Sequence, residues 1–232
     1  MKLSLLVCTI PSRAHLLQRL LDRLKPQLTE DVELLIDLDD GDVSIGVKRQ
    51  RLLERASGDY IAYIDDDDLV HERYVPLILE ALKTNPDCVG FKSNRYVNGK
   101  HSAIAYYSRR HRPDRWVIDE NGFKTVWRCC NHLNPVRREI ALQIGFKDKD
   151  KGEDCQYAGR IKRFLKQESY IDEFLYEYYY RDEEYRAGEM SHAIKSALQV
   201  KESGAVITPL DKETQDVSRF DAAQPHDESA VP

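Results

Sequence analysis

The fold is decided by residues 60–69, Tyr60-Ile61-Ala62-Tyr63-Ile64-Asp65-Asp66-Asp67-Asp68-Leu69. The first five residues are β-branched, aromatic or alanine, which is typical of a short buried strand. The strand ends in four consecutive aspartates, whose negative charges repel one another more strongly as water is excluded. A hard divalent cation, Mg²⁺ or Mn²⁺, is the simplest compensation for this charge. A solvated acidic loop that caps the following helix is the alternative.

Strands and helices alternate around this stretch. Apolar runs predict strands at residues 2–9, 32–38 and 88–91, and apolar residues at helical spacing predict helices at 16–24, 45–56 and 74–83. This alternation implies βαβ units and a parallel sheet covered by helices on both faces. Ligands of such sheets bind beyond the carboxyl ends of the strands. We therefore expect residues 9–13, 37–40 and 65–68 to converge on one crevice.

Composition sets the limits on the class of protein. The chain has 232 residues, enough for one core, and its net charge of −5 gives no general case for nucleic-acid binding. No apolar run approaches the length of a membrane span, so we expect no stable membrane insertion. Five cysteines without a Cys-x-x-Cys spacing predict reduced thiols and a cytoplasmic protein. Residues 205–232 are polar and predict a disordered tail.

The middle of the chain is basic and aromatic between residues 106 and 116. Asn98-Gly99 and Asn121-Gly122 are signals for β-hairpins on either side of it. We interpret this stretch as a solvated edge hairpin. A surface that holds an anionic or stacked acceptor is the alternative.

A second acidic site is formed by Glu153 and Asp154, at the start of an amphipathic segment. Acidic residues at such a position usually cap a helix, because the helix dipole favours them there. The position of the pair, after a Gly-Phe turn and a charged loop, also suits a carboxylate that accepts a proton. We expect His132 and His192 to be core or surface histidines rather than ligands.

Taken in order over residues 2–185, these segments resemble glycosyltransferase family 2, whose members have the GT-A fold. The matching segments are Thr9-Ile10-Pro11-Ser12-Arg13, Asp37-Leu38-Asp39-Asp40-Gly41, Gly46-Val47-Lys48-Arg49-Gln50-Arg51, residues 57–68 with their Asp-x-Asp motif, Asn134-Pro135-Val136-Arg137-Arg138 and Gly152-Glu153-Asp154. Relatives that make long polymers carry a Gln-x-x-Arg-Trp motif, whereas Gln156 here is followed by no tryptophan. The resemblance therefore implies an enzyme that adds single sugars.

The resemblance implies an α/β architecture, a Rossmann-like three-layer α/β/α sandwich of GT-A type with a mostly parallel central sheet. It places a single domain at residues 1–204. Residues 1–95 would be the nucleotide-sugar-binding half, and residues 96–204 the acceptor-side half.

The resemblance also implies roles for individual residues. Asp67, together with Asp65, would bind Mn²⁺ or Mg²⁺, and Asp154 would be the catalytic base, with Glu153 in the same motif. The residues that would bind the nucleotide-sugar are Thr9, Pro11, Arg13, Asp37, Asp39, Arg49, Asp65 and Asp66. Either Asp37 or Asp39 would pair with the nucleotide base.

The function that follows is that of a metal-dependent inverting glycosyltransferase. It would move one sugar from a nucleotide-diphospho-sugar, with UDP-sugars favoured, to an acceptor hydroxyl on a glycan or glycolipid. One alternative is a glycosyltransferase that acts on hydroxylated bases in DNA, which the acidic net charge disfavours. The other is a non-catalytic nucleotide- or metal-binding module, although the acidic run does not fit the twelve-residue calcium loop.

Overall fold

The first half of the chain alternates strands and helices as the apolar pattern predicts. The computed structural model describes residues 2–112 and 115–182. The strands and helices of the first half are β1 (Leu3–Thr9), α1 (Ala14–Leu24), β2 (Val32–Leu38), α2 (Ile45–Arg55), β3 (Tyr60–Tyr63), β4 (Leu69–Val70), α3 (Tyr74–Leu82) and β5 (Cys88–Val97). Strand β5 is longer than the strand that the apolar run predicts, which covers only residues 88–91.

The second half is mainly extended. Its elements are β6 (Lys100–Tyr107), β7 (Arg115–Ile118), β8 (Lys124–Arg128), β9 (Val136–Arg137), α4 (Arg138–Ile144), α5 (Glu153–Ile161) and β10 (Glu168–Tyr180). The predicted tail at 205–232, the end of the acceptor-side half at 183–204, and His192 lie outside the described residues. No helix in the part of the chain that the structure describes is long and apolar enough to cross a membrane.

One mixed sheet runs through the molecule in the order β2-β1-β3-β9-β5-β6-β8-β7. The pairs β1–β2 and β1–β3 are parallel, and β9 then inserts antiparallel between β3 and β5. Strand β10 pairs in parallel with β5 and antiparallel with β4. The three parallel strands β1, β2 and β3 therefore lie at one end of the sheet, and the mixed part lies beyond them.

Helices cover both faces of the sheet, so the three-layer α/β/α prediction is confirmed. One apolar core joins the sheet to α1 and α3, and the other joins it to α2, α4 and α5. Strand β3 contributes side chains to both cores, since Tyr60 and Ala62 lie in the first core and Ile61 and Tyr63 lie in the second. All four side chains are buried, as expected for a strand covered on both faces.

Two tight turns shape the mixed part of the sheet. Asn98 and Gly99 both have positive φ, +47° and +75°, and join β5 to β6 as a two-residue hairpin. Gly122 has φ +77° in the loop between β7 and β8. Both hairpin predictions are confirmed, and the parallel pairing of β6 with β8 then sets the two hairpins side by side.

Candidate active site

Parallel pairing brings the carboxyl ends of the first three strands to one edge of the sheet. Thr9 at the end of β1 lies beside Leu38 at the end of β2, and Leu6 lies beside Tyr63 at the end of β3. The Thr9 hydroxyl donates a hydrogen bond of 2.7 Å to Oδ2 of Asp66. Residues 9–13, 37–40 and 65–68 therefore border the same crevice, as the order of elements predicts.

Arginine side chains balance much of the charge of the acidic loop, residues 65–68. Arg13 bonds to Oδ1 of Asp66 at 3.2 Å, and its other terminal nitrogen bonds to Oδ2 of Asp67. Arg181 lies 3.9 Å from the same Asp67 oxygen. Repulsion among the aspartates is thus relieved within the protein. The repulsion alone is therefore a weaker argument for a cation than the sequence indicated.

Burial dominates the electrostatics of Asp66. It raises the pKa of this carboxyl to about 6, although Arg13 and the Thr9 hydrogen bond favour the ionised form. Burial likewise raises the pKa of Asp67, against the opposing charge of Arg13. The two carboxyl groups therefore depend on Arg13 to hold negative charge in the crevice.

Arg49 connects the two acidic motifs. Its side chain is only 5 % exposed, and it donates to Oδ1 of Asp65 at 2.8 Å and to Oε1 of Glu153 at 2.7 Å. Burial acts to raise the pKa of Asp65, but the charges of Arg49 and His132 outweigh it and hold that pKa below its usual range. Arg49 therefore lies behind the crevice as a buried link between β3 and α5.

His132 belongs to this cluster. It is buried, and its Nε2 lies 3.4 Å from Oδ2 of Asp65, on the side opposite Arg49. Its Nδ1 is buried without a hydrogen-bond partner. The sequence predicts a core or surface histidine, and the structure places this buried histidine against the acidic loop.

Asp68 holds the last described strand in place. Its side chain is buried and accepts hydrogen bonds from the Tyr176 hydroxyl at 2.8 Å and from the Tyr179 backbone N–H at 2.7 Å. Burial, followed by the neighbouring charges of Asp65 and Asp67, raises its pKa well above the usual range. Asp68 thus anchors β10 to the acidic loop. The tyrosine-rich run around residue 176 is a signal in the sequence that points to this contact.

Asp37 and Asp39 occupy different depths at the end of β2. Asp37 is fully buried, and burial raises its pKa despite the nearby charge of Arg51. Neither of its carboxylate oxygens has a hydrogen-bond donor. Asp39 is partly exposed and accepts a 2.6 Å bond from the buried Nζ of Lys48. Of the two, Asp39 is the one that reaches the surface of the crevice.

Glu153 and Asp154 begin α5 and point in different directions. Gly152 precedes them with φ +76°, a conformation that suits glycine. Glu153 is buried against Arg49, whereas Asp154 lines a cleft of about 120 Å³ together with Arg128 and Cys155. Because α5 begins at Glu153, both carboxylates lie in its first turn.

The loop before α5 is fastened to the start of α2. Gly46 donates its N–H to the carbonyl oxygen of Lys149 at 3.1 Å, and Ser44 donates its hydroxyl to Asp148 at 2.6 Å. A Cβ at Gly46 would lie 1.9 Å from the carbonyl oxygen of Lys147. Glycine is therefore required where the two segments meet, and this contact fixes the approach of α5 to the crevice.

Two groups of side chains among the described residues could hold a metal ion. Asp65 and Asp67 offer partly exposed carboxylate oxygens on one loop, which suit Mg²⁺ or Mn²⁺ when a diphosphate supplies further oxygens. Cys88, Cys130 and Glu168 bring ligand atoms within 4.8 Å of one another at the starts of β5 and β10. Their two thiols suit softer metals. The acidic loop is therefore the group whose chemistry fits Mg²⁺ or Mn²⁺.

Comparison with solved structures supports the fold. The chain aligns with TarS of S. aureus at a TM-score of 0.57 and 13 % identity, covering 88 % of this chain and 41 % of TarS. It aligns with TarS residues 1–349 in complex with UDP-GlcNAc at 0.57 and 15 % identity, covering 81 % and 61 %. The chain thus spans about two fifths of the full-length TarS chain and about three fifths of the shorter one.

Comparison of sequences gives one family match, over residues 43–145. No curated protein matches the chain significantly. The family model for glycosyl transferase family 2 matches residues 43–145, a range that contains Arg49 and the whole acidic loop. Residues 43–145 thus match glycosyl transferase family 2, and the layers and strand order described above are those of a GT-A fold.

Proposed function

We propose that the protein is a metal-dependent inverting glycosyltransferase that moves one sugar from a UDP-sugar to an acceptor hydroxyl on a glycan or glycolipid. The observation that carries the proposal is the Arg49 link. It ties Asp65, on the loop expected to hold the donor diphosphate, to Glu153, whose neighbour Asp154 opens into a cleft. A carboxylate that accepts a proton is thereby held at a fixed position relative to the donor.

The donor would lie over the carboxyl ends of β1, β2 and β3. Thr9, Pro11, Arg13 and Asp66 would line the diphosphate side of the crevice, and Asp39 would pair with the base. Asp37, which is fully buried, would act from behind by orienting Arg51, whose Nε is 3.2 Å away. UDP is the favoured nucleotide because TarS, which has the same fold at low identity, was crystallised with UDP-GlcNAc and with UDP.

Asp67 and Asp65 would hold Mn²⁺ or Mg²⁺. When bound, the ion supplies charge neutralisation for the departing diphosphate as a Lewis acid. Arg13 already bridges Asp66 and Asp67, so its positive charge is placed beside the same leaving group. Fixed charge of this kind stabilises the transition state without reorganisation at the moment of reaction.

The transfer would be one in-line displacement. The acceptor oxygen attacks the anomeric carbon from the face opposite the diphosphate, and the carbon–oxygen bond to the diphosphate breaks as the new bond forms. The acceptor proton passes to the Asp154 carboxylate, and UDP leaves with the electron pair of the broken bond. The anomeric configuration is therefore inverted.

Asp154→Asn tests the base. Since transfer to water is possible without an identified acceptor, we measure hydrolysis of UDP-GlcNAc and UDP-glucose with Mn²⁺, together with UDP affinity. We expect hydrolysis to fall by about 10²- to 10⁴-fold, with UDP affinity retained. The exposed Asp150, four residues earlier, provides the matched control Asp150→Asn, which should hydrolyse at the parent rate. Parent-rate hydrolysis by Asp154→Asn would exclude this base.

Chelation and Asp67→Ala test the metal. EDTA should abolish hydrolysis by the parent, and added Mn²⁺ should restore it. Asp67→Ala should respond to neither. Metal-independent hydrolysis by the parent would contradict the metal assignment while leaving Asp154 in place.

A cytoplasmic location is the setting we propose for this activity. No disulfide joins any of the five cysteines, all of which lie in the described residues. Cys130 donates a hydrogen bond from its thiol to the Cys88 sulfur at 3.7 Å, so the two remain thiols, as a reducing compartment favours.

A further inference from the structure

A groove with positively charged walls lies on the mixed part of the sheet. It has a volume of about 500 Å³ and is lined by residues of β5 to β8 and the turn between β7 and β8, namely Arg95, Val97, Ser102, Ala103, Trp116, Ile118, Gly122, Lys124, Val126 and Arg128. Three of these carry positive charge and none carries a carboxylate. In a chain whose net charge is −5, the groove is a local site of opposite sign.

The groove follows from the strand register. Arg95, Ala103, Lys124 and Ile118 are successive partners across four strands, so they lie on one face of the sheet. The small Ala103 forms the floor between the two cations. Neighbouring strands lie about 4.8 Å apart, which puts the bases of Arg95 and Lys124 about 10 Å apart. This width accommodates a sugar ring.

The apolar part of the groove is unusually exposed. Trp116 is 52 % and Ile118 is 54 % exposed, although both lie on a strand. The ammonium group of Lys124 lies 4.4 Å from the centre of the Trp116 ring. An exposed aromatic beside cations suits a ligand that has both apolar C–H faces and negative charge.

The groove and the cleft of the candidate base adjoin at one residue. Arg128 lines both the groove and the cleft that contains Asp154. On the other side, Arg95 stacks on Tyr178, the residue before Tyr179, whose N–H binds Asp68 of the acidic loop. A chain-like ligand in the groove would thus pass Arg128 to reach Asp154.

We propose that this groove binds the acceptor, and that the acceptor is an anionic glycan, a saccharide chain that carries carboxylate or phosphate groups. The proposal rests on the proposed function, because it assigns the acceptor of the same reaction. Arg95, Lys124 and Arg128 pair with the negative groups, and Trp116 and Ile118 contact the sugar faces. Nucleic acid fits less well, because its dense phosphate charge is repelled by the acidic remainder of the protein.

Tryptophan fluorescence reports this binding directly. The chain contains two tryptophans, and Trp127→Phe leaves Trp116 as the single one. In this background we titrate hexagalacturonate and phosphorylated mannopentaose as anionic probes, maltohexaose as the neutral probe, and a 12-base-pair DNA duplex. We expect saturable quenching by an anionic probe, weakened in 0.5 M NaCl, and none by maltohexaose.

Variants locate the site. Lys124→Gln should lower the affinity for the anionic probe about five-fold, and the double variant Lys124→Gln/Arg95→Gln should lower it more than about ten-fold. Lys83→Gln, at the exposed lysine that follows α3 and lies outside the groove, should leave the affinity for the anionic probe unchanged. Circular dichroism, measured on each variant, shows whether the fold is retained.

Three results would overturn the proposal: no binding of either anionic probe, equal binding of maltohexaose, or tighter binding of the DNA duplex. Parent-like affinity of the double variant would overturn it as well. Failure of the proposed function is a separate outcome, since it would appear as loss of UDP binding and donor hydrolysis with anionic-probe binding intact.

Discussion

Replacing Arg49 with methionine removes the link between the two acidic motifs. Methionine has a similar length and no charge, so the substitution leaves the buried Glu153 carboxylate without its partner and removes the strongest donor to Asp65. Breaking a buried ion pair from one side costs about 3–5 kcal/mol, because the remaining charge stays desolvated. We expect the free energy of unfolding of Arg49→Met to fall by this amount at pH 7.

A double-mutant cycle separates the ion pair from lost packing. Glu153→Gln removes the charge of the partner. The double variant should therefore lose about 1–3 kcal/mol less unfolding free energy than the two single variants lose together. Arg55→Met is the matched control, since Arg55 lies on the same helix and is exposed. It should change stability by less than about 0.5 kcal/mol.

Urea unfolding at pH 7, followed by circular dichroism, measures all four members of the cycle with the control. Donor hydrolysis is measured in parallel, because Arg49 also positions α5 and hence Asp154. Strict additivity of the two substitutions would refute the buried link. A stable Arg49→Met protein with parental hydrolysis would show that the two motifs are positioned independently.

Three further predictions concern single residues. Gly46→Ala places a Cβ 1.9 Å from the Lys147 carbonyl oxygen, so we expect thermal unfolding to show a loss of about 1–3 kcal/mol and donor hydrolysis to fall. Cys155 is exposed in the Asp154 cleft, while burial raises the pKa of Cys8 to about 12. Mass spectrometry after treatment with iodoacetamide at pH 8 should therefore show that Cys155 is alkylated first. Labelling that begins at Cys8 would contradict this prediction. Burial raises the pKa of Asp66 to about 6, so the stability that this carboxyl contributes is complete below about pH 4 and is lost as the pH rises through 6. In EDTA, Asp66→Asn should therefore raise the free energy of unfolding at pH 8 by about 2–3 kcal/mol. A pH profile of stability that Asp66→Asn leaves unchanged would exclude this interpretation.

The sequence predicted the local elements and the edge where the site forms. Apolar runs located the first three strands within a residue, because strands buried on both faces must be continuously apolar. The position of the acidic loop followed from the rule that parallel strands carry ligands at their carboxyl ends. These inferences depend only on residues that are close in sequence.

The partners of the site residues could not be predicted in the same way. Arg13 and Asp66 are separated by 53 residues of chain, and Arg49 and Glu153 by 104. Because no local pattern shows which carboxylate an arginine will contact, the sequence indicates no partner for the aspartates. Their negative charge therefore predicted a bound cation. The depth of Asp37 also depends on how α2 packs over β2, which no short pattern specifies.

Strand β10 has a consequence for how the protein is made. Both donors to the buried Asp68 carboxylate, the Tyr176 hydroxyl and the Tyr179 N–H, belong to this strand. During synthesis on the ribosome, Asp68 emerges 108 residues before Tyr176 does. Until β10 arrives, the Asp68 carboxyl lacks both of these donors and must stay hydrated or protonated, so the acidic loop can close only after β10 has been made.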